Sequence, residues 1–280
     1  GDWGYRVNTN SSIKDINSMA EAFNAMALGL KEREESLRIS NEKLAASNKS
    51  YIDLIGFVAH ELKGILASAV MNAYAVRDGY LGLVNFKQRK AMDSVTRNLD
   101  YLDATVKKFL SLGRVERGEL PVNKTPLNLK KDVFDSSINS LAPMAVKKNL
   151  KIANEVSPDV VVNADSDLMQ IVANNLVSNA IKYSPDAGAI KVTARQVNGM
   201  VEVDVYNDST PMSEEQRAKL FQKFSRLDNP ETKKVKGTGL GLYITKQIIE
   251  KHGGTITVEP REHGNSFVFE IETGVPKKGA

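Results

Sequence analysis

The sequence predicts an α+β molecule in which a long helical hairpin precedes an α/β sandwich, and three observations carry that prediction. From about Ser11 to Arg77 there is no proline and apolar residues recur at heptad spacing. A cluster of turn residues, Arg77 to Gly82, then interrupts the helical pattern before a second amphipathic stretch. After Pro126 the texture changes to helices alternating with short β-rich runs. At roughly 100 to 200 residues per domain, 280 residues suggest about two domains.

The first helix carries Met19, Phe23, Met26, Leu30, Leu37, Leu44, Tyr51 and Val58. Steps of three, four and seven residues keep one stripe on one side of a helix, as in a coiled coil, whose simplest partner is a second copy of the chain. Arg33, Ser40 and Ser47 occupy the other seam and weaken it. The alternative is a monomeric helix packed on its own domain. From about Asn85 to Leu112 the run Met92, Val95, Leu99, Leu102, Val106, Leu110 completes a hairpin, so two copies would form a four-helix bundle. Gly113, Gly118 and Pro121 punctuate the chain after this helix, and a domain boundary is expected near Glu119. Beyond it the expected elements are helices over Leu129–Lys148, Ser166–Lys182, Glu214–Phe224 and Gly239–His252. The expected strands cover Lys151–Asn154, Val160–Asn163, Ile190–Val197, Val201–Tyr206, Thr255–Glu259 and Ser266–Glu272, with Asn198-Gly199 as a hairpin turn.

Composition excludes several function classes. Lys plus Arg (38) against Asp plus Glu (34) gives a net charge of +4, and 41% hydrophobic with 26% charged residues is globular composition. The basic residues are interspersed with acidic ones and no run of Lys and Arg interleaved with aromatics occurs, so nucleic acid is not expected as a partner despite a pI near 9.0. The absence of cysteine excludes disulfides, thiol catalysis and thiolate metal sites, and fits a reducing compartment. No apolar run is expected to reach the roughly 18 residues of a membrane helix, so the chain reads as soluble.

Two segments carry chemistry. In Asp167–Ser184, Asn175, Asn179 and Lys182 stand at i, i+4 and i+7, which puts two amides and an ammonium on one helix face. An amide oxygen suits a magnesium shell completed by phosphates and water, and the lysine suits a phosphate. The run Gly237-Thr238-Gly239-Leu240-Gly241-Leu242 opens directly into a helix, whose free N–H groups and dipole favour an anion. No strand precedes it, against a dinucleotide-binding turn, and no Lys-Ser/Thr follows, against a P-loop.

The glycine run, the Asn/Lys helix and the loop between them together resemble the ATP-binding domain shared by gyrase-type, mismatch-repair-type and histidine-kinase (GHKL) ATPases. Leu220 to Leu227, with Phe221 and Phe224, resembles the phenylalanine box of the histidine-kinase ATP lid, and Gly264-Asn265-Ser266-Phe267 the last glycine element. Phe57-Val58-Ala59-His60-Glu61-Leu62-Lys63-Gly64 resembles the phosphoacceptor box of sensor histidine kinases. With Val58 on the seam, His60 is turned towards the surface; its neutral imidazole is a competent nucleophile and Glu61 can take the ring proton. The resemblance covers roughly residues 49–272. Gly1 to Glu34, with Gly1-Asp2-Trp3, Phe23-Asn24-Ala25-Met26 and Leu30, resembles the second half of a HAMP linker, which follows a membrane helix.

The resemblance implies a homodimeric kinase that moves the γ-phosphoryl of ATP to His60 and then to an aspartate of a response regulator receiver domain. Asn175 would ligate magnesium, Asn179 and Lys182 would hold phosphates and Tyr183 would flank the nucleotide. Asn207 would read adenine, Phe221 and Phe224 would belong to the lid, and Gly237, Thr238, Gly239, Leu240 and Gly241 would shape it. The implied division is 1–34 HAMP half, 35–48 coiled-coil signalling helix, 49–118 dimerisation and phosphotransfer hairpin, and 119–280 ATP-binding domain, the cytoplasmic portion of an inner-membrane receptor anchored through a segment outside this sequence. There are departures from the family pattern. Lys63, Gly64 and Ile65 replace the usual Arg-Thr-Pro, removing a helix-kinking proline and a water-positioning side chain that a phosphatase would use. Asn207-Asp208-Ser209-Thr210-Pro211 replaces Asp-x-Gly-x-Gly, which implies an adenine contact without charge assistance. Two other readings remain open: a non-catalytic coiled-coil scaffold with a degenerate site, and a GHKL-type ATPase clamp.

Overall fold

The structure is a computed structural model that describes residues 7, 14–117, 120–226 and 237–273. Gly1-Asp2-Trp3 of the HAMP-like segment, the expected boundary at Glu119, and Leu227 of the phenylalanine box lie outside the described residues. The chain divides into two compact units, Gly1–Val58 and Ala59–Ala280.

The first unit is the N-terminal part of helix α1 (Lys14–Arg77). Ala20 and Ala27, seven residues apart, are buried, and Asn24 bonds both backbone groups of Val7, accepting from its N–H at 2.8 Å and donating to its carbonyl at 2.9 Å. The heptad residues Met19, Phe23, Met26, Leu37, Leu44 and Tyr51 are all exposed. Contrary to the expectation from the sequence, α1 holds an 18-residue window of mean hydropathy 1.5, long and apolar enough to cross a membrane by length and composition. The physical reason is that seam residues and small alanines accumulate on a helix with few charges in that window.

The second unit begins with the hairpin. After Arg77 the chain turns through Gly79 (φ +83°) and Gly82 (φ +124°), with Tyr80 N–H closing on the Ala75 carbonyl, a glycine-terminated helix end. Helix α2 (Phe86–Glu116) starts at a capping box in which Asn85 and Gln88 satisfy each other's backbone N–H groups. Ala59, Leu66 and Val106 form the buried seam between the helices, flanked by Leu99, Phe109 and Leu110. Further along α2, Leu112 is buried in the core of the α/β part, so α2 serves both halves of this unit.

The α/β part is a five-stranded sheet covered on one face by helices. In chain order it holds β1 (Thr125–Asn128), a π-helical turn (Leu129–Asp135), α3 (Ser136–Lys147), β2 (Lys151–Asn154), β3 (Val161–Ala164), α4 (Ser166–Tyr183), β4 (Ala189–Val197), β5 (Met200–Asp208), α5 (Glu214–Lys219), α6 (Gly241–Lys251), β6 (Thr255–Arg261) and β7 (Gly264–Glu272). The sheet order is β2-β4-β5-β7-β6, parallel only between β2 and β4, while β1 and β3 form a separate antiparallel pair. Alternation fixes the inner face: Val201, Val203 and Val205 of β5 are fully buried and lie opposite Ile271, Phe269 and Phe267 of β7. Against them α4 packs Met169, Val172, Leu176 and Ala180.

The Asn198-Gly199 hairpin appears as expected, both residues at positive φ. β1 departs from the sequence expectation, because Thr125-Pro-Leu-Asn128 carries a proline and is only four residues long. The helix expected over Glu214–Phe224 ends at Lys219, and Phe224, the last residue of that span, adopts φ +59°, which no helix accommodates.

Candidate active site

The cleft is built where the inner face of the sheet runs out of apolar residues. Asn207 continues the buried register of Val201, Val203 and Val205, so strand alternation delivers an amide to the core face at the end of β5. It is 2% exposed, donates to the Asp208 carbonyl at 3.0 Å, and its side-chain oxygen accepts no hydrogen bond from the described residues. Asp208 points its carboxylate the other way, accepting from Ala189 N–H and Tyr206 OH at 2.7 Å each. Burial, and then that carboxylate, push the Tyr206 phenol up to about 12. Asn265, opposite Asn207 on β7, is fully buried and pins the following loop: it donates to Ser209 Oγ and the Thr210 carbonyl and accepts from Met212 N–H. A Cβ at Gly264 would lie 2.2 Å from the Asn207 carbonyl oxygen, so only glycine lets the two strand ends close here.

Helix α4 supplies the opposite wall. Its N-terminus is capped by Asp165, which accepts from Leu168 N–H at 3.0 Å, and its apolar face is spent on the core. Asn175, Asn179, Lys182 and Tyr183 are left to line a cleft of about 1040 Å³ together with Asn207 and the glycine run. Asn175 is held by α6: its Nδ2 donates to the Gly241 carbonyl and to Thr245 Oγ1, both at 3.3 Å, and its Oδ1 accepts nothing from the described residues. Asn174, next to it, is structural, accepting from Ser137 and Gln170. Lys182 is half-buried; burial, and then the charge of Lys108, hold its ammonium below the ordinary lysine range.

The third wall is the glycine run. Helix α6 starts at Leu240 without a side-chain cap, which leaves first-turn N–H groups for an anion. Gly237, Thr238, Gly239 and Gly241 line the cleft. Gly239 has φ +70°, and a Cβ there would sit 2.6 Å from the Phe224 carbonyl carbon, so the glycine run and the phenylalanine segment need each other's shape. Three of the residues expected to bind the nucleotide do not line the cleft. Leu240 is fully buried in the core, Phe221 packs against that core, and Phe224 is exposed. His60 and Glu61 also stand apart from it on α1, with side chains 79% and 62% exposed and His60 Nδ1 3.7 Å from Glu61 Oε1. The contrast is His252, 1% exposed, whose Nε2 accepts from Asp165 N–H while Nδ1 meets the Ile248 carbonyl.

The family model of histidine kinase-, DNA gyrase B- and HSP90-like ATPases matches residues 164–275, which hold all three walls. The sensor protein GacS of Pseudomonas syringae pv. syringae is 25% identical over 94% of this chain and 32% of its own length. Over most of its length the chain is similar to sensor histidine kinases, and its C-terminal part carries the ATP-binding domain that they share. The structure of the histidine kinase ThkA in complex with the response regulator protein TrrA aligns over 88% of this chain and 67% of that one, with a TM-score of 0.53 and 26% identity. Full-length ShkA in complex with AMPPNP shares the fold, with a TM-score of 0.66 over 80% of this chain, 47% of that chain and 23% identity. The chain thus spans about a third of GacS and about half of ShkA. The ATP-binding domain type accounts for a cleft walled by an amide helix, a strand end and a glycine run.

Lys108, Asp208 and Asn265 also line the cleft, and sequence reasoning missed them. Asn265 lies inside the last glycine element and could have been found from its pairing with β5. Lys108 carries no signal, being one of several lysines on an amphipathic helix.

Proposed function

We propose that this chain is the kinase core of a sensor receptor, binding ATP with magnesium in the cleft and autophosphorylating His60. The single observation that supports it best is the exposed His60–Glu61 pair in the same chain as a cleft offering free amide oxygens and cations. Glu61 lies on the Nδ1 side of the ring, which leaves Nε2 as the attacking nitrogen. Nε2 forms a bond to the γ-phosphorus, the bond to the β,γ-bridging oxygen breaks, ADP leaves with that electron pair, and the Nδ1 proton passes to Glu61. Positioning and charge neutralisation supply most of the rate. Asn207 would accept from the adenine amine, Tyr183 would flank the nucleotide, and Asn179 and Lys182 would hold its phosphates. The free Oδ1 of Asn175, anchored through its Nδ2, fits a magnesium ligand, and the ion would neutralise charge on the phosphate oxygens.

The phosphoryl group then moves from His60 to an aspartate of a response regulator receiver domain, a reading supported by the kinase–regulator pair that ThkA and TrrA form. The chain acts as a homodimer, with a HAMP half over 1–34, a signalling helix over 35–48, a phosphotransfer hairpin over 49–118 and the ATP domain over 119–280, on the cytoplasmic side of an inner membrane. Incubation with γ-labelled ATP and magnesium tests the central claim. Acid-labile label is expected on the parent and none on His60→Gln, which still binds ATP; label on His60→Gln at the parent rate refutes it.

A further inference from the structure

Two half-buried lysines line the same cleft, close enough for the charge of one to act on the other. Lys108 comes from α2 of the hairpin and Lys182 from α4, and both line the same space. Neither ammonium is engaged by a carboxylate or a carbonyl among the described residues, whereas Lys148, also at the cleft, donates to the Ile181, Lys182 and Ser184 carbonyls and is committed to the end of α4. Juxtaposing two desolvated like charges is unfavourable unless something negative sits between them. Burial lowers the proton affinity of Lys108, and burial together with Lys108 does the same to Lys182.

The position of Lys108 on α2 is fixed from both sides. Two residues earlier, Val106 packs with Ala59, the neighbour of His60, in the hairpin seam. One and two turns later, Leu112 and Val115 are buried on the same helical face, at i+4 and i+7, and Leu112 joins the α/β core. That face therefore carries Lys108 into the nucleotide cleft at the level of the hairpin where the nucleophile stands. Phosphoryl transfer to a hairpin residue requires the terminal phosphate to be the end of the nucleotide nearest the hairpin.

We propose that Lys108 is a ligand for the terminal phosphate of the bound nucleoside triphosphate, making the site a composite of the ATP domain and helix α2 that distinguishes ATP from ADP. This rests on the reading of the cleft as an ATP site. Lys182, from the ATP domain itself, holds the inner phosphates common to both nucleotides. A triphosphate bridges the two lysines and ties α2 to the cleft; a diphosphate leaves Lys108 unpaired and that tie is lost. Arginine should substitute for Lys108, since any cation of similar reach serves, whereas glutamine should not.

The test uses the full chain and calorimetric titration with two probes in magnesium: the non-hydrolysable analogue AMPPNP, and ADP. Lys108→Gln should lose about tenfold in analogue affinity, the scale of one charge-assisted phosphate contact, with ADP affinity changed less than about twofold. Lys108→Arg should recover most of the discrimination. Equal binding of the analogue by parent and Lys108→Gln overturns the proposal. Parallel loss of both nucleotides also overturns it, since a merely structural lysine would weaken both. If the parent binds neither nucleotide, it is the ATP-site reading that fails, and the two failures are separable.

Discussion

Asn207 is the residue where a one-atom change is most informative. Its Nδ2 donates to the Asp208 carbonyl, and the Asp208 carboxylate is next in the chain. Asn207→Asp removes that donor and places a second carboxylate at a 2%-exposed position. The ligand-free protein should lose about 1–2 kcal/mol of stability, while a charge-assisted bond to the adenine amine should add about 1 kcal/mol to nucleotide binding. Thermal melting with and without ATP should show a lower midpoint in the free protein and a larger ligand-induced rise. A variant that melts and binds as the parent does would mean that position 207 does not read the base. Its candidacy was legible in the sequence because it directly follows the expected strand Val201–Tyr206, where the adenine-binding motif of the resembled family falls. The commitment of Asn175 to α6 was not, since it depends on a partner 66 residues away.

Helix α2 ends on a polar junction that ties it to both sides of the glycine run. Glu116 pairs with Lys223 at 2.5 Å and accepts a hydrogen bond from Tyr243 OH, with Lys223 also 5.3 Å from the Tyr243 ring centre. Burial, and then Glu116, raise the Tyr243 phenol well above its ordinary range. Glu116→Ala strands both partners, and the cost should be about 2 kcal/mol, below that of a fully buried pair because Lys223 is a third exposed. Denaturant unfolding should show it as a lower midpoint, and an unchanged midpoint would mean that the junction contributes nothing. Helices such as α4 and α6 were legible from periodicity and strong stop signals. This junction was not, because residues 107 and 127 positions apart leave no local trace. The same limit hid β1, whose partner β3 lies beyond a whole helix.

Both units expose apolar stripes that an isolated chain would leave in water. In the first, Leu37, Leu44 and Tyr51 are each more than 60% exposed; in the second, Leu62 and Ile65, three residues apart, are 38% and 68% exposed. Stripes at heptad spacing on long helices mark association with other helices. For the homodimer proposed above, replacing Leu37 and Leu44 together by aspartate should weaken association in sedimentation equilibrium, with the α/β part still folded. A double variant that remains dimeric would assign the association elsewhere. The sharing of α2 between the hairpin seam and the α/β core has a further consequence for how the molecule comes apart. Leu112, 2% exposed, belongs to the α/β core, so a fragment that starts after it opens a hole in a core whose other buried residues it contains. The loss should be about 2–5 kcal/mol, a large part of the stability of a domain this size. A fragment beginning at Leu120 should therefore melt well below one beginning at Thr105, and in the intact chain the lower hairpin and the sheet should melt in a single cooperative transition by calorimetry, whereas two resolved transitions would show that the hairpin and the sheet unfold independently.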